Sequence, residues 1–79
     1  MKTNQFHTDY WFLKNQTILG KRLKHLRSKH RVTQEELAFR ARITVSYLAK
    51  IEKGQTNTTV RYLAKISRAL EVPLYRLFE

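Results

Sequence analysis

The chain has 79 residues, and its 16 Lys and Arg against 6 Asp and Glu give a formal net charge of +10. A chain this short forms one domain that buries about 60% of its unfolded surface, which leaves no room for a deep catalytic cleft. It contains no cysteine, so disulfides, thiolate zinc sites and cysteine nucleophiles are excluded. Its longest apolar run, residues 10–13, is far shorter than the roughly 20 residues of a membrane span. We therefore expect a small cytoplasmic domain that is not an enzyme.

The sequence carries no pattern typical of catalysis or of metal binding. His7, His25 and His30 form no i, i+4 pair and have no cluster of acids near them in the sequence. No serine lies in a glycine-flanked elbow, and no glycine-rich phosphate loop is present. We therefore predict no catalytic residues, no metal site and no cofactor.

Much of the positive charge is concentrated in one segment, since residues 17–32 carry six cations and no acid. Ordinary exposed faces mix both signs, so this segment indicates more than a solvated helix face. A charge of +10 on so small a body favours a polyanionic partner. Nucleic acid is the commonest such partner, and a membrane surface comes second.

Scarce glycine and proline, with abundant Leu, Ala, Lys, Arg and Glu, predict a mainly helical chain. Three leucines at helical spacing, the last of them Leu26, predict a first helix over about 18–30. Residues 1–16 precede it as an N-terminal arm, separate from the helical domain of residues 17–79. The aromatic residues of the arm either cover the core, add a turn before the first helix or join a subunit interface. They are Phe6, Tyr10, Trp11 and Phe12.

Two short helices are predicted next, with only about three residues between them. Thr33 followed by Glu36 is a capping box that begins the second helix, which ends near Ala41. Thr44 is an N-cap candidate that opens a third helix over residues 45–53. Two helices joined by so short a turn are typical of a helix-turn-helix, whose second helix can enter a major groove.

The rest of the chain predicts two further helices. Gly54 ends the third helix, because glycine tolerates the left-handed conformation found at helix C-termini. Thr59 then begins a fourth helix, whose apolar stripe ends at Leu70. Pro73 begins a short last helix over 73–79. The predicted fold class is therefore all-α, with five helices behind an N-terminal arm.

Four motifs follow one another along these helices. They are Leu23-x-x-Leu26-Arg27, Thr33-Gln34-Glu35-Glu36-Leu37-Ala38, Ser46-Tyr47-Leu48-x-x-Ile51-Glu52-Lys53-Gly54 and Ala69-Leu70-Glu71-Val72-Pro73. In this order and spacing, the sequence resembles the Xre/Cro-like helix-turn-helix family of phage repressors and bacterial regulators, including restriction–modification controller-like proteins. The resemblance spans about residues 19–78 and implies a lambda-repressor-like DNA-binding domain. Arg31 and Arg42 depart from it, because the family often has a left-handed glycine at both positions.

The resemblance implies which residues contact DNA. Side chains of the third helix that point away from its buried stripe have types that suit base edges. The predicted base contacts are Gln34, Thr44, Val45, Ser46, Ala49 and Lys50. The predicted phosphate contacts are Thr33, Arg42, Tyr47, Lys53, Gln55, Thr56 and Asn57. For Tyr47, packing on the body of the domain is an equal alternative.

The resemblance further implies an ion pair between Arg27 and Glu52 beneath the third helix. It also implies a homodimer, because two recognition helices can bind half-sites about 34 Å apart. The predicted dimer contacts are Leu74, Tyr75 and Leu77.

The function predicted from the sequence is sequence-specific regulation of transcription, at the nucleoid, by a homodimer on an inverted-repeat operator in duplex DNA. RNA polymerase or another protein remains open as a further partner. The alternative is an antitoxin-like module whose main partner is a protein. A basic module for RNA or anionic lipid is disfavoured, because charge alone does not require the helix-turn-helix spacing.

Overall fold

The computed structural model describes the backbone of residues 4–79 and the side chains of residues 13–79. Within this part of the chain the regular structure is entirely helical, in agreement with the predicted all-α class. It consists of α1 (Asn4–Lys29), α2 (Gln34–Ala41), α3 (Val45–Glu52), α4 (Val60–Leu70) and a C-terminal 3₁₀ helix (Leu74–Phe78). None of the described helices combines the length and the apolar character that a membrane span requires.

α1 is much longer than the sequence predicts, because it begins at Asn4 and not near residue 18. Most of the segment predicted as an N-terminal arm is therefore helical. Residues 4–17 contain neither glycine nor proline, so nothing in this stretch interrupts the helix. With 26 residues, α1 is about 39 Å long, in keeping with overall dimensions of 45 × 23 × 20 Å. The side chains of Phe6, Tyr10, Trp11 and Phe12 lie outside the described residues.

The next three helices begin at the threonines that the sequence predicts as N-caps. Thr33, Thr44 and Thr59 each accept a hydrogen bond from the backbone N–H three residues further on. At Thr33 the Glu36 carboxylate also accepts the Thr33 backbone N–H at 2.9 Å, which completes the capping box. That hydrogen bond is the main reason why the pKa of Glu36 lies below its usual range. The caps satisfy N–H groups that a helix start leaves unpaired.

All four α-helices end with a residue in the left-handed conformation. In each case this residue and the next donate backbone hydrogen bonds into the last turn, which is the Schellman arrangement. Only one of the four is a glycine, and the left-handed conformation costs other residues about 1–2 kcal/mol. The four residues are Gly54 (φ 70°), Arg31 (φ 58°), Arg42 (φ 58°) and Glu71 (φ 60°). The sequence predicts the first and singles out the two arginines, but gives no sign of Glu71.

One apolar core joins all the helices. Leu23 of α1, Leu37 of α2, Leu48 of α3 and Ile66 of α4 are inaccessible to solvent. Burying a side chain of this kind stabilises the fold by roughly 1.5–3 kcal/mol. The core therefore holds α2 and α3 in a fixed relation to α1 and α4.

The predicted last helix, residues 73–79, is a 3₁₀ helix instead of an α-helix. Three residues per turn put Leu74 and Leu77 on the same side, which faces the core. Leu77 is only 1% exposed. Its side chain belongs to the core of this chain, which corrects its predicted place at a dimer interface. Tyr75 points outward and is 63% exposed.

α1 and α3 approach each other closely at Gly20. A Cβ atom at this position would lie 2.6 Å from the carbonyl oxygen of Glu52 and would also overlap that of Ile51. Only a residue without a side chain lets α1 pass this near to the C-terminal end of α3. Gly54 is similarly close to α1, since a Cβ there would lie 2.8 Å from the Cα of Thr17.

A buried ion pair joins the same two helices. Arg27 Nε lies 2.7 Å from Glu52 Oε2, and Arg27 Nη2 donates to Glu52 Oε1 at 3.2 Å. Arg27 Nη1 also donates to the carbonyl oxygen of Val32 at 2.9 Å. The side chains are 13% and 3% exposed, so both charges have left bulk water. The two-point contact and the third hydrogen bond offset much of that desolvation.

We expect Gly20→Ala to destabilise the protein, although alanine is the better helix former. At an exposed helical position the change gains about 1 kcal/mol. At Gly20 the new Cβ meets two backbone carbonyls, so we expect a net loss of about 1–3 kcal/mol. Urea unfolding measures this against Ser28→Ala, an exposed position of the same helix. A Gly20→Ala protein as stable as the wild type would contradict the close approach.

Arg27→Ala is expected to cost about 3–5 kcal/mol, because it leaves Glu52 buried without its countercharge. The double variant Arg27→Met/Glu52→Gln removes both charges and keeps the side-chain volumes similar. We expect it to regain most of the lost stability, as measured by urea unfolding. If the double variant is as unstable as Arg27→Ala, the cost does not arise from an unpaired buried charge.

Candidate nucleic-acid interface

α3 has one face buried in the domain and the opposite face turned to solvent. Its buried residues are Leu48, Ile51 and Glu52. The opposite face carries Val45, Ser46, Ala49 and Lys50, all exposed except the half-buried Ala49. These four predicted base contacts therefore share one surface that offers a cation, a hydroxyl and two small apolar groups. A helix about 10–12 Å in diameter fits a major groove about 12 Å wide.

The turn before α3 holds two more of the predicted contacts. Arg42 takes the left-handed conformation that ends α2, and its side chain is exposed. Thr44 caps α3 by accepting the Tyr47 backbone N–H at 3.0 Å. A hydroxyl that accepts in this way still has its own hydrogen to donate, so capping leaves Thr44 able to bind a phosphate.

Gln34 takes part in the buried ion-pair network, which the sequence does not predict. Its Nε2 donates to Glu52 Oε1 at 2.9 Å. A carboxylate can only accept, so the amide nitrogen must face it. Gln34 thereby joins the start of α2 to the Arg27–Glu52 pair. The bond uses one of the two amide hydrogens, so the other hydrogen and the amide oxygen retain their capacity to bind. Thr33, which precedes it, is exposed.

Tyr47 packs on the body of the domain, which is one of the two alternatives predicted for it. Its hydroxyl lies 3.3 Å from both the carbonyl oxygen of Asn57 and the hydroxyl oxygen of Thr58. Its ring centroid lies 5.1 Å from that of Tyr62, with the ring planes tilted by 59°. Tilted aromatic contacts that approach the edge-to-face arrangement are favourable. Tyr47 thus fixes the loop after α3 to the start of α4.

The segment after α3 contains the remaining predicted phosphate contacts. Gln16 of α1 donates from its Nε2 to the carbonyl oxygen of Gly54 at 3.2 Å. The Gln55 backbone N–H donates to the Lys50 carbonyl at 2.9 Å. The segment is therefore anchored to α1 and to the end of α3. Its predicted contacts are Lys53, Gln55 and Asn57, which are exposed, and Thr56, which is half-buried.

A protein-family model described as helix-turn-helix matches residues 23–77. The transcriptional regulator SinR of Bacillus subtilis (strain 168) is 35% identical over 63 residues, which cover 78% of this chain and 57% of SinR. Control protein C.BamHI of Bacillus amyloliquefaciens is 36% identical over 56 residues, covering 70% of this chain and 69% of that protein.

The crystal structure of the restriction-modification controller protein C.AhdI from Aeromonas hydrophila has the same fold. It matches with a TM-score of 0.81 and 32% identity, covering 82% of this chain and 98% of that chain. The chain thus spans little more than half of SinR but nearly all of C.AhdI. Capped α2, a three-residue turn and an outward-facing α3 lie within the matched residues. The chain belongs to the Xre/Cro-like helix-turn-helix family of DNA-binding transcriptional regulators.

Proposed function

We propose that this protein regulates transcription by binding a specific duplex DNA sequence as a homodimer, with α3 in the major groove of each half of an inverted repeat. The observation that carries the proposal is the outward face of α3. Its exposed Lys50, Ser46 and Val45 lie on the side opposite the buried Leu48 and Ile51. The body of the domain therefore supports the helix from behind and leaves its other face for base edges.

The side chains on this face match particular groups in the major groove. The Lys50 ammonium can donate to O6 and N7 of guanine, and the Ser46 hydroxyl can either donate or accept. Val45 and Ala49 can pack against thymine methyl groups. Thr44 and Gln34, at the starts of α3 and α2, complete the proposed base contacts.

Phosphate contacts flank this face on both sides. The backbone N–H groups at the start of α2, beside Thr33, favour an anion because they lack helical partners and lie at the positive end of the helix dipole. Such contacts orient the protein without carrying sequence information. The other proposed phosphate contacts are Arg42, Lys53, Gln55, Thr56 and Asn57.

The homodimer is proposed to form around the 3₁₀ helix. Tyr75 and Phe78 are both more than 60% exposed there, and Leu74 is half-buried beside them. A monomer presents one recognition helix and binds weakly, whereas a two-fold dimer binds two half-sites about 34 Å apart. Regulation then works by occupancy, through exclusion of a promoter or contact with RNA polymerase.

Lys50→Ala is expected to weaken binding to the operator by about 1–3 kcal/mol per half-site, because it removes one base contact in each half. Binding to random duplex should change far less. Lys53→Ala is the matched control, since a lost phosphate contact weakens binding to every sequence alike. Fluorescence anisotropy on both duplexes measures the comparison, with an operator selected from random sequences. Equal losses on both duplexes for Lys50→Ala would contradict its role.

Sedimentation at tens of micromolar is expected to show twice the 9.5 kDa chain mass. Tyr75→Glu should shift the protein toward monomer, because it puts a charge into the apolar contact. Phe39→Glu is the control, since Phe39 is an 85% exposed apolar residue on α2. A wild-type monomer that remains monomeric on DNA would contradict the dimer.

A further inference from the structure

A groove between the C-terminal end of α2 and the side of α4 is bordered mainly by basic residues. Its volume is about 540 Å³. The residues that define this basic groove are Arg40, Arg42, Lys65 and Arg68, and Glu71 is the single acid beside them. Of these residues, only Arg42 is among the contacts predicted from the sequence. For Lys65 and Arg68 the sequence does carry a signal, because their i, i+3 spacing puts both on one side of α4.

The charges of the basic groove are balanced only in part within the domain, since Arg40 interacts electrostatically with Glu36 and Glu71 is the one acid at the groove. Among the side chains that the structure describes, the ion pairs involve Arg22, Arg27 and Arg76 and none of the four groove cations. The three groove arginines are exposed, and Lys65 is half-buried. Gathering like charges in one groove is unfavourable, and an anion bound there relieves the repulsion.

Lys65 links the basic groove to the turn of the helix-turn-helix. Its Nζ donates to the carbonyl oxygen of Arg42 at 3.5 Å and lies 5.1 Å from the centroid of the Tyr62 ring. Arg42 also borders a second, shallow groove together with Thr44, Tyr47 and Tyr62. That groove reaches the N-terminal end of α3. The basic groove is therefore continuous with the proposed DNA-binding face.

We propose that the basic groove binds the sugar–phosphate backbone of the same duplex, on the strand that borders the major groove beyond the N-terminal end of α3. This inference rests on the proposed function. A major groove is only about 12 Å wide, so a helix inserted in it lies close to the phosphates of both bordering strands. Guanidinium groups bind phosphate through paired, charge-assisted hydrogen bonds, which suits Arg40 and Arg68.

DNA backbone is a better match to the basic groove than an acidic protein surface. The groove opens beside the turn that leads into α3, and Arg42 belongs both to it and to the proposed phosphate contacts. Bound DNA therefore already brings a row of negative charges to one end of the groove. An acidic protein would have to compete with that duplex for Arg42.

The test measures the salt dependence of operator binding for Arg40→Gln/Arg68→Gln. Each lost phosphate contact lowers the slope of log K against log salt by about 0.9. The variant loses two contacts in each protomer of the proposed dimer, so we expect a slope smaller by about 3.6. Arg40→Lys/Arg68→Lys keeps both charges and should stay close to the wild-type slope. Both positions are exposed, and urea unfolding of each variant checks that the fold is intact.

Neutral methylphosphonate linkages then locate the contact on the DNA. Placed one at a time in the strand beyond the N-terminal end of α3, they should weaken wild-type binding but not weaken the Gln variant further. An unchanged salt slope, or equal weakening of both proteins, would overturn the inference and leave an acidic protein surface as the partner. If the wild type fails to distinguish operator from random duplex, it is the proposed function that has failed.

Discussion

The buried contact between Arg27 and Glu52 is the interaction on which the rest of the structure depends. Removing two charges from water costs free energy unless each charge forms several hydrogen bonds within the protein. Here the carboxylate receives hydrogen bonds from Arg27 and from Gln34, and the guanidinium also donates to the carbonyl of Val32. The network therefore holds the end of α1, the start of α2 and the end of α3 together, and a shift of any one helix would leave a charge unsatisfied.

This constraint explains how a small domain can hold α3 at a defined angle. α1 supports α3 in two ways, through the charge network and through the backbone contact that Gly20 permits. The acid lies on the buried side of α3, where Arg27 neutralises it, so it does not repel a nearby phosphate. The exposed side of α3 is left with Lys50 as its charged group. A positive charge on this side is what the proposed contact with DNA requires.

Much of the fold follows from local rules that the sequence displays directly. The threonine N-caps, including Thr33 and Thr44, and the left-handed Gly54 are where local chemistry requires them. α1 was predicted too short, because its leucine stripe begins well after its start and nothing in the sequence interrupts the helix upstream. Leu77 faces the core and not a dimer interface, because the last helix is a 3₁₀ helix whose three residues per turn put Leu77 on the same side as Leu74.

The candidate site, like the fold, is predictable from the sequence only in part. The outward face of α3 follows from helical periodicity, because the buried residues fix which side is free. The bond from Gln34 to Glu52 does not, since the two residues are 18 positions apart and meet only through helix packing. The basic groove, with Arg40 and Arg68 on separate helices, likewise exists only once α2 and α4 pack together. Side-chain type predicts chemistry, but tertiary packing decides which groups meet.

The central claim is that the exposed face of α3 recognises a DNA sequence. Its most direct test selects binding sites from a random duplex pool, with excess non-specific competitor, using wild-type and Lys50→Ala proteins in parallel. The account predicts that the wild type enriches an inverted repeat with half-site centres about 34 Å apart. The variant should lose its preference at one base pair in each half-site. Binding by the wild type that is sensitive to salt but enriches no motif would contradict the account.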